Sequence, residues 1–211
     1  FQLKLFKIGY SKNYSIKKKE FDNFFKLKPK ILFLPNPNQP IENTFGLNEI
    51  KKIATRCKKI NCFLVVDEAY FHFGAKSALT LVKRFKNLIV LRTFSKAFGM
   101  AGLRLGYMCA SDEIINAVSK IRNGKNVSMI SQRLGICALN NINLINDWIN
   151  EVKKARTDFQ DWCIANNLTF YKSNGNFVTF EVSSPKEVCK YLKLKGIYIR
   201  NRESILSNCI R

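Results

Sequence analysis

The chain has 211 residues, of which 46% are hydrophobic and 24% are charged, so it can build a folded core and is not an intrinsically disordered protein. A formal net charge of +21 is typical of proteins that bind nucleic acid or an acidic membrane surface. However, the lysines are scattered among many Asn, Ile and Phe residues, whose codons are A/T-rich, and no zinc-ligand spacing or basic-aromatic RNA motif accompanies them. We therefore expect no nucleic-acid partner and keep a basic nucleic-acid-binding module as the alternative from a different class.

Cysteine and histidine usage favours a reduced protein without a metal. The seven cysteines never occur as Cys-x-x-Cys and most lie in apolar patterns, which is typical of buried thiols in a reducing cytosol. His72 is the only histidine, which excludes a multi-histidine metal site, and its aromatic neighbours favour a packed ring over a catalytic one. No apolar stretch approaches the length of a membrane span and no signal peptide opens the chain, so we expect a cytoplasmic protein with no membrane partner.

In the first half of the chain, short apolar segments alternate with helical patterns. Strands are predicted at 31–34, 62–66, 87–92 and 103–109. Helices are predicted at 46–60, at 77–85 with Ser77 as the N-cap, and at 111–122. Because the strands are apolar throughout and helices separate them, the pattern predicts an α/β fold with a mostly parallel sheet and helices on both faces.

The second half begins with helical patterns and then changes to short strands. Helices are predicted at 129–140, 144–166 and 185–194, and strands at 168–171, 176–182, 197–200 and 205–211. We therefore assign residues 1–143 to part of a large domain and residues 144–211 to a connecting helix and a small C-terminal α+β domain. Since the chain starts inside a strand-like alternation and stops within an apolar segment, we expect it to be a fragment of a longer protein.

Three polar clusters follow predicted parallel strands, where such sheets bind ligands. They are Pro-Asn-Pro-Asn-Gln-Pro at 35–40, Asp-Glu-Ala-Tyr at 67–70, and Thr-Phe-Ser-Lys-Ala-Phe-Gly-Met-Ala-Gly-Leu-Arg at 93–104. The third cluster places Lys96 among small and apolar residues, and such surroundings favour the neutral, nucleophilic form of an amine. A carboxylate, a phenol, amides, a lysine and an arginine at one sheet edge predict a site for a reactive, anionic ligand.

These clusters resemble, in content and order, the active-site series of the class I/II (fold type I) pyridoxal-phosphate aminotransferases, and are nearest to the histidinol-phosphate aminotransferase group. The chain carries Val-Asp-Glu-Ala-Tyr at 66–70 and the pattern T-x-S-K-A-x-G-x-A-G-x-R-x-G-Y at 93–107. The resemblance covers about residues 28–211. It implies that the N-terminal part of the family fold, with a glycine-containing loop that helps to hold the cofactor phosphate, is absent here.

The resemblance implies a role for each catalytic residue, with pyridoxal 5'-phosphate as the cofactor. Lys96 would form a Schiff base with the cofactor and then act as general acid and base. Asp67 would pair with the pyridine nitrogen and keep it protonated. Tyr70 and an amide of the Asn-Pro turn would contact the phenolic oxygen. We assign that amide to Asn38, although Gln39 stands where some family members have the contacting asparagine, and the usual Pro-Thr-Gly is replaced after Pro40.

The remaining residues implied by the resemblance bind anionic groups. Thr93, Ser95 and Arg104 would hold the cofactor phosphate, the arginine as a planar fork and the hydroxyls as further donors. Arg200 and Arg211 match the two late arginines of the family, which bind the carboxylate or phosphate of the substrate. No metal is implied.

The resemblance therefore implies an aminotransferase that moves an amino group between an amino-acid-like amine and an oxo acid such as 2-oxoglutarate, in a homodimer. A decarboxylase of the threonine-phosphate type shares the cofactor residues and stays open as an alternative, as does an amino-sugar enzyme. The residues of the substrate pocket would separate these activities, and many of them lie in the part of the family fold that this chain lacks.

Overall fold

The computed structural model describes residues 4–8, 16, 18–41 and 44–211. A four-stranded sheet has the order β1-β2-β3-β4, with β1 and β2, and β2 and β3, parallel and β4 antiparallel to β3. Its strands are β1 (Ile31–Pro35), β2 (Phe63–Asp67), β3 (Leu88–Thr93) and β4 (Gly106–Cys109). The predicted α/β class with a mostly parallel sheet is therefore confirmed.

Six α-helices lie in the described chain, together with short 3-10 turns. The helices are α1 (Lys18–Lys26), α2 (Leu47–Lys59), α3 (Asp112–Ile121), α4 (Met129–Asn140), α5 (Ile142–Ala165) and α6 (Pro185–Leu194). Five of them lie where the apolar periodicity predicts them, whereas α1 was not predicted. None of the helices in the described ranges is long and apolar enough to cross a membrane.

The predicted helix at 77–85 is instead a single 3-10 turn, Ala78–Leu81. Its N-cap is the predicted one, since the Ser77 hydroxyl accepts a hydrogen bond from the amide of Leu79. The amide of Ala78 donates to the Glu68 carboxylate, so a buried side chain from outside the turn takes up one of its free N–H groups.

The core of the large sheet lies between its strands and the two helices α1 and α2. Alternate strand residues point into it, and these are Leu32, Leu34, Leu64, Val66, Leu88 and Val90. From α2, Ile50, Ala54 and Cys57 complete the core and are fully buried. On the opposite face Ile31, Phe33 and Phe63 are 58%, 53% and 43% exposed. At these residues of β1 and β2, the described chain therefore has a helical layer on one face, whereas the sequence predicts helices on both faces.

A second sheet of three antiparallel strands follows α5 in the chain. Its order is β5 (Phe170–Tyr171), β6 (Thr179–Glu181) and β7 (Cys209–Ile210). The predicted strand at 197–200 does not form; residues near it contact β7 through an isolated bridge, Asn201 to Ile210. The predicted strand at 205–211 is shortened because the amides of Ile205 and Leu206 donate to the Arg202 carbonyl and close a turn.

The two sheets are joined by side-chain hydrogen bonds as well as by α5. The hydroxyl of Thr179 in β6 donates to the Pro40 carbonyl at 2.6 Å. The guanidinium of Arg156 in α5 donates to the carbonyls of Phe73 and Gly175 at 3.1 and 2.8 Å. The second sheet is therefore held against the turns that follow β1 and β2. The division into domains at residues 143 and 144 stays a prediction.

Candidate active site

The three polar clusters lie together because β1, β2 and β3 are parallel neighbours. The amide of Asn36, after β1, donates to the carbonyl of Asp67 at 2.8 Å. The amide of Glu68, after β2, donates to the carbonyl of Leu91 in β3 at 2.9 Å. The segments that follow the three strands are therefore adjacent at one sheet edge, as the sequence predicts.

A cavity of about 330 Å³ opens at this edge and collects residues from both sheets. The large sheet contributes Gln39, Tyr70 and Lys96. The C-terminal part contributes Asn176, Phe177, Tyr198, Arg200 and Arg211. Four predicted site residues, Tyr70, Lys96, Arg200 and Arg211, are thus brought together by the fold.

The Lys96 amine lies beside the Tyr70 ring, with Nζ 5.3 Å from the ring centroid. Within the described ranges, the amine makes no hydrogen bond or salt bridge. The Tyr70 hydroxyl accepts a hydrogen bond from Nε2 of Gln39 at 2.9 Å, and its ring packs edge-on against Phe177 with 5.4 Å between centroids. The structure thus presents an amine beside a phenol oxygen whose orientation is fixed by an amide.

The structure distinguishes the two amides of the 35–40 turn. Asn38 is buried and donates from Nδ2 to the Ile41 carbonyl at 3.2 Å, so its amide holds the turn together. Gln39 lines the cavity instead. Asn36 is also structural, since its side-chain amide exchanges two hydrogen bonds with the backbone of Phe45. Among the described contacts of these amides, the bond to the Tyr70 hydroxyl comes from Gln39.

Asp67 is the last residue of β2 and is partly buried. Its Oδ1 accepts a hydrogen bond from the amide of Ala69 at 3.0 Å, which closes the turn toward Tyr70. Its second oxygen has no hydrogen-bond partner in the described part of the chain. One carboxylate oxygen therefore shapes the turn, and Asp67 is not among the residues that line the cavity.

The loop from Thr93 to Leu105 folds back on itself at the end of β3. The Thr93 hydroxyl accepts from the amide of Ser95 at 3.0 Å, and the amide of Phe94 donates to the Leu105 carbonyl at 3.0 Å. This closure places the backbone of Arg104 close to Thr93. The Arg104 side chain is exposed, and its Nη1 donates to the Ala101 carbonyl at 3.4 Å. The predicted phosphate residues thus share one loop outside the cavity.

Arg200 and Arg211 form a backbone pair in which each amide donates to the other's carbonyl at 2.9 Å. The Arg211 guanidinium lies over the Phe177 ring, 5.3 Å from its centroid, and its buried Nη1 has no hydrogen-bond partner in the described residues. Burial and the nearby charges of Arg202 and Arg200 lower the pKa of Arg211. A partly buried guanidinium whose Nη1 has no partner among the described residues, near the charges of Arg202 and Arg200, favours an anionic ligand.

A buried ion pair behind the site was not predicted from the sequence. Glu68 is 1% exposed, and its Oε2 accepts from Nε of Arg92 at 3.0 Å and from the Ser77 hydroxyl at 2.7 Å. The signal in the sequence is a pair of opposite charges at the ends of two apolar segments. Because β2 and β3 are neighbours, these charges lie side by side.

His72 has the packed environment that its aromatic neighbours predict. Its ring lies 3.8 Å from that of Phe71 and 5.6 Å from that of Phe98, measured between centroids. Burial, with smaller contributions from the positive charges of Arg92 and Lys153, lowers the pKa of His72 to about 4. The ring is therefore neutral near pH 7.

This pKa predicts a pH dependence of stability. Since the unfolded chain takes up the proton near pH 6.5 and the folded chain only near pH 4, His72 destabilises the fold progressively as the pH falls through this interval. We expect His72→Phe, which keeps the ring packing, to gain stability relative to the wild type as the pH falls from 7 to 5. Urea unfolding at several pH values measures this difference, and parallel stability curves for the two proteins would contradict the assignment.

The sequence is similar to proteins of one known family. The chain matches the family profile described as aminotransferase class I and II over residues 2–211. It is 36% identical to a dihydroxyacetone phosphate transaminase from Campylobacter jejuni, over 85% of this chain and 50% of that protein. It is 39% identical to a histidinol-phosphate aminotransferase from Christiangramia forsetii, over 86% of this chain and 53% of that protein.

A solved structure shares the fold. The histidinol-phosphate aminotransferase from Sinorhizobium meliloti, in complex with pyridoxal-5'-phosphate, superposes with a TM-score of 0.81 at 24% identity, covering 96% of this chain and 57% of that one. The chain spans about half the length of the curated relatives that it matches. Since the family profile covers nearly all of the sequence, the chain belongs to the class I and II aminotransferase family.

Proposed function

We propose that this chain forms part of a pyridoxal-phosphate-dependent aminotransferase similar to histidinol-phosphate aminotransferase. The observation that carries the proposal is the cavity at the sheet edge, which combines the Lys96 amine, the Tyr70 phenol and the Arg211 guanidinium, whose Nη1 has no hydrogen-bond partner among the described residues. An amine beside a cation site is what a reaction between a carbonyl cofactor and an anionic amino acid requires.

The residues present fit the cofactor. Lys96 offers an amine that no other described residue engages by a hydrogen bond or salt bridge. Asp67 offers a carboxylate oxygen that no hydrogen bond from the described residues engages. The Tyr70 hydroxyl, oriented by Gln39, suits the phenolic oxygen of the cofactor. We therefore propose Gln39 for the amide contact in place of Asn38. We propose the loop with Thr93, Ser95 and Arg104 for the phosphate.

When bound, the cofactor supplies a ring that withdraws electrons from the substrate carbon next to the amine. The residues of the chain then have separate tasks. The Asp67 carboxylate holds the proton at the pyridine nitrogen, and the Lys96 amine removes and returns the proton at the substrate carbon. Arg211 and Arg200 bind the anionic groups of the substrate and so fix which face of it meets the lysine.

The proposal extends to the substrates and the assembly of the whole protein. We propose an amino-acid-like amine as donor and 2-oxoglutarate as acceptor, because the cavity pairs one amine with two arginines. We propose a cytoplasmic location because all seven cysteines are free. We also propose a homodimer, for which the exposed apolar residues of α4, among them Met129, Ile130 and Ile136, offer a surface.

The test of the proposed function is to add pyridoxal 5'-phosphate and record the absorbance of the bound cofactor. Borohydride reduction followed by peptide mapping should then place the cofactor on Lys96. We expect Lys96→Ala to lose both the absorbance band and the label. Lys76→Ala, which changes an exposed lysine, serves as the matched control and should keep both. A label that stays in place in Lys96→Ala would refute the assignment.

The same preparation distinguishes the alternative activities. With an amino donor and 2-oxoglutarate, a transaminase forms glutamate and releases no carbon dioxide. Release of carbon dioxide from the donor without formation of glutamate would instead establish the decarboxylase of the threonine-phosphate type. A protein that binds DNA in a salt-sensitive way and takes up no cofactor would overturn both readings.

A further inference from the structure

The buried pair of Glu68 and Arg92 connects the two motifs of the site. Glu68 lies between Asp67 and Tyr70 in the chain, and Arg92 directly precedes Thr93 at the end of β3. The side chains of the pair are 0% and 13% exposed, respectively. A buried ion pair therefore links the ends of β2 and β3, which precede the segments of the site.

The pair also organises the elements around it. The Glu68 carboxylate accepts hydrogen bonds from the Ser77 hydroxyl and the Ala78 amide, so it holds the start of the 3-10 turn at Ala78–Leu81. From the other side, Nη2 of Arg92 donates to the Ser77 hydroxyl at 2.6 Å. The turn, β2 and β3 are thus fixed to one another by charged hydrogen bonds, which are stronger than neutral ones.

Arg92 also contacts β4 and the segment that carries Tyr70. Its Nη1 donates to the Tyr107 hydroxyl at 3.3 Å, and its guanidinium lies over the Phe71 ring, 3.9 Å from the centroid. Phe71 directly follows Tyr70, so this stacking restrains the segment that carries the Tyr70 phenol. Arg92 therefore directly precedes the loop that holds Lys96 and bonds to Tyr107, in the strand that follows it.

Buried ion pairs are poor stabilisers, because the cost of removing two charges from water offsets most of their attraction. Apolar residues of similar size would give a core of equal or greater stability. A role in positioning neighbouring residues explains the presence of such a pair better than a contribution to stability does. Directed hydrogen bonds set distances and angles, which apolar contacts do not.

We propose that Glu68 and Arg92 are positioning residues that hold Asp67 and Tyr70 at a fixed placement relative to the Lys96 loop. The inference rests on the proposed function, since it concerns the same cofactor site. It assigns the pair no contact with substrate or cofactor. Since misplacing a reacting group by 1 Å can cost about a hundredfold in rate, the loss of this link should be visible in the site even where the fold survives.

The first test is Glu68→Gln, which keeps the side-chain volume and an acceptor for Ala78 but leaves the Arg92 charge unpaired. We expect a lower melting temperature, a dissociation constant for pyridoxal 5'-phosphate raised roughly tenfold or more, and a lower kcat. We expect little change in the KM of the amino donor, because Arg200 and Arg211 are untouched. Ile50→Val, in the core far from the site, is the control for lost stability alone.

The decisive test is the double variant Glu68→Gln with Arg92→Met, which removes both charges and keeps the volume. We expect its melting temperature to recover. Its affinity for pyridoxal 5'-phosphate and its kcat should stay low, because the directed hydrogen bonds from Arg92 to Ser77 and Tyr107 are lost. If affinity and kcat recover together with stability, the pair is merely structural and the inference is overturned. If Glu68→Gln does not fold, Tyr107→Phe takes its place in the test. This variant removes only the hydrogen bond from Arg92, and should give a smaller fall in affinity.

This design separates the two proposals. If the wild type takes up no pyridoxal 5'-phosphate, the proposed function fails and the positioning role fails with it. If the wild type binds the cofactor through Lys96 and the double variant binds it equally well, the proposed function stands and only the positioning role is refuted.

Discussion

The Asp67→Asn variant is expected to lose roughly 10²- to 10³-fold in kcat, the range seen when a single electrostatic group is removed from an active site. In the proposed function, the carboxylate oxygen that has no hydrogen-bond partner among the described residues pairs with the ligand, while Oδ1 accepts from the amide of Ala69. Asparagine keeps an acceptor at Oδ1 and therefore the turn, but it cannot hold a proton at the pyridine nitrogen by charge. Asp67→Asn should therefore lower kcat and leave the melting temperature unchanged.

Two further variants, compared with Asp67→Asn, separate the effect of the Asp67 charge from that of its contact in the turn. Asp67→Ala removes the charge and the turn contact together, and so should lower both kcat and the melting temperature. Asp158→Asn changes an exposed carboxylate of α5 that pairs with Lys154, and should change neither by much. If Asp67→Asn retains full kcat, the carboxylate acts only in the turn and the role that the family resemblance implies for it is wrong.

The sequence predicts the large sheet better than the C-terminal segment for a physical reason. The strands β1 to β3 are short apolar runs and α2 through α6 have apolar periodicity, so these patterns predict one structure each. The segment between β2 and β3 is the exception, since the helix predicted at 77–85 is a 3-10 turn. Around 197–211 the apolar residues are interrupted by Arg200, Arg202 and Asn208. Backbone hydrogen bonds to the Arg202 carbonyl form a turn there. No hydrophobic periodicity in the sequence predicts such a turn.

In the site, motifs predict which residues gather but not which atoms face the ligand. The parallel order of β1 to β3 follows from the pattern, and it brings Tyr70 and Lys96 to one edge. The choice between Asn38 and Gln39 depends on the path of the 35–40 turn, in which the family's usual glycine is missing, and the structure puts Gln39 in the cavity. The exposed side chain of Arg104 depends in the same way on a loop conformation.

Arg211→Met is expected to raise the KM of the oxo-acid acceptor about a hundredfold or more, in line with the 2–5 kcal/mol lost when one partner of a buried charge pair is truncated. The anion of the substrate would be the partner of this guanidinium, since its buried Nη1 has none among the described residues. Arg211→Lys keeps the charge but loses the planar fork, and should give an intermediate KM.

The same substitution should leave the free protein as stable as the wild type, or more stable. Without a ligand, the Arg211 guanidinium is partly desolvated beside Arg200 and Arg202, which is why its pKa is lowered, and methionine keeps an apolar side chain of similar length next to Phe177. Arg211→Met should therefore keep or raise the melting temperature of the free protein while it weakens substrate binding. This combination is expected of a residue that serves binding at a cost in stability. Arg133→Met, an exposed position of α4, should alter neither quantity, whereas a large fall in melting temperature with an unchanged KM would identify Arg211 as a structural residue.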